Sequence, residues 1–172
     1  MTKADRQLAK AVNFGLLYGG GAPMFAGYAK SNYGLTLTAA QAAAYRAAFF
    51  EAYPKLAAWH RKQGNGVTAT RTLAGRRRKS VAKFTEKLNT PVQGSGADGL
   101  KLALALLWER RHDHPTAVPV LAVHDEIVVE CAAAAADAVK VWLVTAMTDG
   151  MAELCRPVPV VVETNIAPTW GG

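Results

Sequence analysis

The 172-residue chain is poor in cysteine and in acid, and it has no long apolar run. Its two cysteines, Cys131 and Cys155, form no C-x-x-C pair and no metal-ligand spacing. A disulfide scaffold and a zinc module are thereby excluded, and a reducing compartment is the default. The longest stretch without charge, Ala11 to Ala29, is interrupted by Asn13, Pro23 and five glycines, which makes it a poor membrane span. The opening Met1-Thr2-Lys3-Ala4-Asp5-Arg6 does not resemble a signal peptide. There is no nucleophile elbow G-x-S-x-G, and Gln93-Gly94-Ser95-Gly96 is not one. Nor is there a Walker loop, because Lys101 does not follow the required glycine spacing. Internal repeats, low-complexity linkers and domain boundaries are likewise missing. What is present is a 51% hydrophobic, 19% charged composition, enough for a core and inconsistent with wholesale disorder. The length suits one compact domain, and the expectation is a soluble intracellular protein.

The shortage of acid is uneven. Residues 1–89 hold 15 Lys and Arg against 3 Asp and Glu, a net of +12, whereas residues 90–172 hold 5 against 10, a net of −5. The densest basic window, Arg71 to Lys87, contains seven Lys and Arg and Glu86 as its single acid. A charge run is ordinarily a solvated face. One this one-sided points instead toward a phosphate backbone, and the acidic half toward carboxylates able to hold a divalent cation.

Thr2-Lys3-Ala4-Asp5 has the pattern of a capping box and predicts a helix from there toward Tyr18, stopped by Gly19-Gly20-Gly21. Pro23 to about Tyr33 predicts a second helix ending at Gly34. Thr38 caps a long helical stretch over 39–63, with Phe49, Phe50, Tyr53, Leu56 and Trp59 as its apolar stripe; Pro54 should kink or break it, and Gly64-Asn65-Gly66 ends it. Val67 to Leu73 and the residues after Gly75 form a short hairpin. A helix is expected over 94–111, then two β-rich runs, Val118–Val123 and Ile127–Cys131, joined by His124-Asp125-Glu126. A helix over 132–154, with Val139, Trp142, Leu143 and Met147 inward, precedes a last strand over 157–162. Helices first and a small antiparallel sheet with helices afterwards define an α+β fold.

Three constellations carry chemistry. Arg6, Lys10, Phe14 and Tyr18 recur at four-residue steps, so they share one broad helix face. Two cations near a helix N-terminus suit a polyphosphate, and an aromatic ring further along can stack on an attached base or sugar. The plainer alternative is an amphipathic helix with Phe14 and Tyr18 in the core. Second, Asn89-Thr90-Pro91-Val92-Gln93-Gly94 combines side chains that read base edges or sugars with glycines that admit close backbone approach. The alternative is a loop with Asp98 near the start of the next helix. Third, His124-Asp125-Glu126 places three ionisable groups at a bend between apolar strands, either a metal-binding carboxylate with fixed neighbours or a polar turn.

Together and in this order, these segments resemble the C-terminal part of family A DNA polymerases, the DNA polymerase I type. Arg6-x-x-x-Lys10-x-x-x-Phe14-x-x-x-Tyr18-Gly19 is similar to the family's fingers-helix motif, and His124-Asp125-Glu126 to its palm carboxylate motif. Asn89-x-Pro91-x-Gln93-Gly94 with Ala97-Asp98, Thr72-Leu73-x-Gly75-Arg76-Arg77 and the late Trp170 add to the likeness. The resemblance covers essentially the whole chain. It implies a helical fingers segment at 1–66 and, at 67–172, part of an antiparallel palm sheet with packed helices.

The implied activity is DNA-templated DNA synthesis with Mg²⁺ and deoxynucleoside triphosphates, in a bacterial or phage-encoded cytoplasmic protein. By resemblance, Arg6 and Lys10 contact the incoming triphosphate, and Lys10 supplies a proton or charge to the departing pyrophosphate. Phe14 packs on the nucleotide's sugar and base, and Tyr18 lies by the templating base. Asp125 binds metal with Glu126 close by, and His124 lies near the primer end. Asn89 and Gln93 touch the minor groove of the primer–template, and Arg76 and Arg77 also contact DNA. Thr85 departs from the pattern, which usually has Arg there. So does the absence of a motif position for the family's other essential aspartate, which lies upstream of the fingers helix. The expectation is therefore a fragment or split half, inactive alone, that works with an upstream segment carrying the missing palm strand. The alternative is a non-catalytic DNA- or nucleotide-binding remnant.

Overall fold

The structure, a computed structural model, describes residues 2–64 and 66–171. It is an α+β fold of two compact units, the first formed by residues 1–71 and 77–91 and the second by residues 72–76 and 92–172.

In the first unit, α1 (Lys3–Leu17) starts where the sequence predicts. The Thr2 hydroxyl accepts from the Asp5 amide at 3.1 Å, and the Asp5 carboxylate accepts from the Thr2 amide at 2.7 Å. These two bonds satisfy donors that a helix start leaves open. Gly19 ends the helix with φ +85°, and a Cβ there would stand 2.5 Å from the Phe84 ring, so both backbone and packing require glycine. Helix α2 (Ala22–Tyr33) closes on the left-handed Gly34. Helix α3 (Ala39–Ala52) opens with a second capping box, Thr38 with Gln41. Pro54 breaks the long stretch outright and begins α4 (Pro54–Gly64), because proline cannot donate and disfavours helical geometry at Tyr53. Asn65 lies outside the described residues. The core gathers Ala11, Leu16, Phe25, Ala29, Ala42 and Phe49. Of the expected stripe Phe49 is inside, Phe50, Leu56 and Trp59 are half-buried, and Tyr53 is exposed, having fallen at the break between helices.

His60 fastens α4 to the end of α1. Its Nε2–H donates to the Leu17 carbonyl at 2.8 Å, and its ring lies against Phe50 and Phe84. Burial holds the imidazole below the ordinary histidine range; the Leu17 carbonyl opposes this and the Arg46 charge assists it. An unfolded histidine therefore takes a proton before the folded one does. The neutral ring's contribution is present above about pH 6.5 and is lost as the pH falls through the depressed folded value. The unfolding midpoint is expected to drop between about pH 7 and pH 5, and a His60→Gln variant to show a flatter profile by circular dichroism.

The hairpin is shorter than its sequence pattern: β1 (Thr70–Arg71) pairs antiparallel with β2 (Arg77–Arg78). Helix α5 (Phe84–Glu109) is longer, starting ten residues before the expected Gly94 and passing through Pro91. Asn89 to Asp98 is helix rather than loop. Pro91 cannot donate to the Lys87 carbonyl four residues back, and the Thr70 hydroxyl donates to that carbonyl instead, at 3.1 Å. A tertiary hydrogen bond thus offsets what local propensity loses.

In the second unit, β3 (Val118–Val123) pairs antiparallel with β4 (Glu126–Glu130), with an irregularity between Pro119 and Leu121. A three-residue 3₁₀ turn, Ala133–Ala135, leads into α6 (Ala136–Cys155). Ala103, Leu107, Ala117, Ile127, Val139, Trp142 and Ala146 form the core, with Leu143 and Met147 partly buried against it. The expected strand over 157–162 does not form. Pro157 and Pro159 remove two ladder donors, the segment pairs with no strand among the described residues, and Val158 and Val161 are exposed.

Candidate active site

Helix α1 turns Ala11 and Leu16 into the core and leaves Arg6, Lys10 and Phe14 exposed, with Tyr18 half-buried at the helix cap. The spacing thus sets two cations and two rings along one face, and Phe14 is 53% exposed rather than a core residue. Among the described residues neither Arg6 nor Lys10 is in an ion pair, so the face stays cationic along the first half of α1.

The third constellation sits at the tip of the β3–β4 hairpin. Val123 pairs with Glu126, which leaves His124 and Asp125 as a two-residue turn. His124 adopts φ +55°, as the first turn residue of the primed hairpin types requires. A non-glycine residue held in that region is a strained position of the sort found at functional sites. His124, Asp125 and Glu126 are all exposed, and with Gln93 they line a groove of about 2340 Å³ in the second unit.

The two carboxylates differ in their surroundings. The Trp170 indole N–H donates to Glu126 Oε1 at 3.0 Å, whereas Asp125 receives no hydrogen bond among the described residues. Sequence reasoning noted Trp170 but had no signal for this tie, which spans 44 residues. Among the described residues no three His, Cys, Asp or Glu side chains converge where a metal ion could be held. Asp125 and Glu126 have the hard oxygen donors that Mg²⁺ prefers, and magnesium commonly takes only one or two protein carboxylates beside water and phosphate. The donor set fits a partial magnesium site.

The remaining predicted residues divide between the units. Asn89, half-buried, and Gln93, exposed, lie four residues apart in α5. Arg76 is exposed but fastened to α5: its Nε donates to the buried Asp98 Oδ1 at 2.9 Å and its Nη2 to the Gly94 carbonyl at 3.1 Å. Ser95 accepts from the Leu73 amide at 2.8 Å, fixing the same turn to α5. Burial pushes the Asp98 carboxyl up, and the Thr72 hydroxyl, the Arg76 guanidinium and Lys101 outweigh it, leaving the group below its ordinary value. Arg77 is exposed, and Arg78 pairs with Glu86 at 3.1 Å.

Comparison with known proteins accords with this arrangement. The family model described as DNA polymerase family A matches residues 1–172. The chain is 40% identical over 179 residues to DNA polymerase I of Aquifex aeolicus, covering 99% of this chain and 30% of that protein. It is 34% identical over 179 residues to the thermostable DNA polymerase I of Thermus aquaticus, covering 96% of this chain and 20% of that protein. A solved structure titled as the POL domain of Pol1 from M. smegmatis in complex with DNA primer-template and dNTP shares the fold. Its TM-score is 0.74 at 24% identity, over 87% of this chain and 28% of the solved one. The chain therefore spans less than a third of the length of these relatives, and it belongs to DNA polymerase family A.

Proposed function

We propose that the chain is the fingers and distal palm portion of a DNA-templated DNA polymerase, residues 1–66 serving as fingers helices and 67–172 as distal palm. The primer 3′ oxygen attacks the α-phosphorus of a deoxynucleoside triphosphate and pyrophosphate leaves. Arg6 and Lys10 bind the triphosphate, Lys10 giving a proton to the leaving group; Phe14 packs on the nucleotide's sugar and base, and Tyr18 lies by the templating base. Asn89 and Gln93 contact the primer–template minor groove, Arg76 and Arg77 contact DNA near the hairpin, and His124 lies near the primer end. Asp125, with Glu126 beside it, would hold Mg²⁺, which when bound supplies electrostatic stabilisation of the phosphoryl oxygens. The observation that carries this reading is the exposed Asp125 at a strained hairpin tip in a chain whose whole length matches this family. No helix among the described residues is long and apolar enough to cross a membrane.

A two-metal site needs carboxylates beyond Asp125 and Glu126, and we assign the missing one to a polymerase segment outside these 172 residues. The test is primer extension with Mg²⁺ and all four deoxynucleotides. The chain alone is expected to be inactive, and the chain joined to or mixed with the upstream polymerase segment to extend the primer. Extension by the chain alone would overturn the assignment of the missing carboxylate. Salt-sensitive DNA binding with no extension in either arrangement would favour a non-catalytic DNA-binding remnant.

A further inference from the structure

The β1–β2 ribbon sets Arg71 directly opposite Arg77. Residues facing each other across an antiparallel pair share one face with Cβ atoms about 4.5–5.5 Å apart, and like charges there destabilise the pairing. Relief from a neighbouring acid is not on hand. The one acid in the basic window, Glu86, is engaged by Arg78 at 3.1 Å, and among the described residues neither the Arg71 nor the Arg77 side chain forms an ion pair or hydrogen bond. Successive strand residues point to opposite faces. Thr70 is buried and tied to the Lys87 carbonyl, and its ladder partner Arg78 is tied to Glu86 and Thr90. That face of the ribbon is fastened to the beginning of α5, so the Arg71–Arg77 face is the one turned out to solvent, and both residues are exposed.

We propose that Arg71 and Arg77 form a two-guanidinium clamp for a phosphodiester of the DNA backbone. Each guanidinium presents a planar fork of donors that matches two phosphate oxygens, and an anion between them turns a repulsive pair into a bridged one. The clamp deepens the polymerase reading and rests on it for the choice of ligand. It also adds Arg71, which no motif singles out.

The experiment measures binding of a labelled primer–template duplex by the full chain across a salt series, together with thermal unfolding without DNA. Arg71→Ala and Arg77→Ala are each expected to weaken binding about 3–10-fold and to lower the salt slope by about one. Arg71→Glu is expected to weaken it more than about tenfold while raising the unfolding midpoint by about a few degrees, since it places opposite charges across the ladder. Opposite signs on stability and binding distinguish a clamp from a framework residue. Lys55→Glu, on α4, makes the same change in net charge. If it weakens binding as much as Arg71→Glu, only the overall charge matters and the clamp is overturned. Inorganic pyrophosphate forms a second arm: stabilising the wild type and not Arg71→Ala, with duplex affinity unchanged, would overturn the backbone assignment in favour of a small-anion site. Wild-type duplex binding that Arg71→Glu leaves intact overturns the clamp alone, whereas no duplex binding by the wild type overturns both clamp and polymerase reading.

Discussion

Replacing Gly150 by valine is expected to unfold the second unit near ambient temperature, and replacing it by alanine to lower its unfolding midpoint by roughly 10 °C. Gly150 lies in α6 where that helix crosses α5 at backbone contact. A Cβ there would stand 2.5 Å from the Ala103 nitrogen, 2.9 Å from the Gly99 carbonyl oxygen and 3.0 Å from the Ala103 Cα. All three are main-chain atoms of a helix, so no rotamer change relieves the overlap; the helices must separate. Ala103 and Ala146 are almost fully buried in the same cluster as Trp142 and Ile127, and separation would open that core. Overpacking typically costs about 1–3 kcal/mol, and alanine's better helix propensity recovers only about 1 kcal/mol. For a unit of this size each kcal/mol moves the midpoint by about 4–8 °C. Gly96, in α5, gives the control, because a Cβ there meets nothing within 4 Å. Gly96→Ala is expected to stabilise by about 0.4–1 kcal/mol. If Gly150→Ala also stabilises, the close helix crossing is not what glycine serves there.

Gly150 and Gly96 look alike in the sequence, and only the helix that packs against one of them separates their roles. Local signals with a mechanism translated directly: the capping box at Thr2, the cap at Thr38, the break at Pro54, the glycine after Tyr18 and the polar tip between two apolar runs stand where their chemistry places them. What failed was each feature settled by a partner distant in sequence. Pro91 and three nearby glycines argue against helix, and the Thr70 hydroxyl offsets that preference by taking over a carbonyl 17 residues away. The segment from Pro157 to Val162 is apolar enough for a strand, but a strand exists only when another pairs with it. The site divides the same way. The four-residue spacing of Arg6, Lys10, Phe14 and Tyr18 was legible because helix periodicity alone puts them on one face. The tie between Arg76 and Asp98 was not, since nothing in Arg76-Arg77-Arg78 tells which arginine meets Asp98. The Trp170–Glu126 bond is a long-range pairing of the same kind.

That bond shapes the second large effect. In the chain completed by the upstream polymerase segment, Asp125→Ala is expected to slow primer extension by at least about 10³-fold, about 4 kcal/mol of lost transition-state stabilisation. Stability should change by less than about 0.5 kcal/mol, because Asp125 is exposed at a turn and touches no core residue. Duplex affinity should hold or rise, since removing an acid beside a polyanion lowers repulsion. Glu126→Gln serves as comparison. It removes the same unit of charge one residue away but keeps the side-chain oxygen that Trp170 donates to, so its loss should be much smaller than that of Asp125→Ala. Lys10→Ala tests the other end of the reaction, where loss of a proton donor to pyrophosphate typically costs about 10²–10⁴-fold. If instead Asp125→Ala retains activity within about tenfold while extension still requires this chain, Asp125 does not hold the metal. The hairpin carboxylate that matters would then be Glu126, fixed by Trp170, and Trp170→Phe would become the more damaging change.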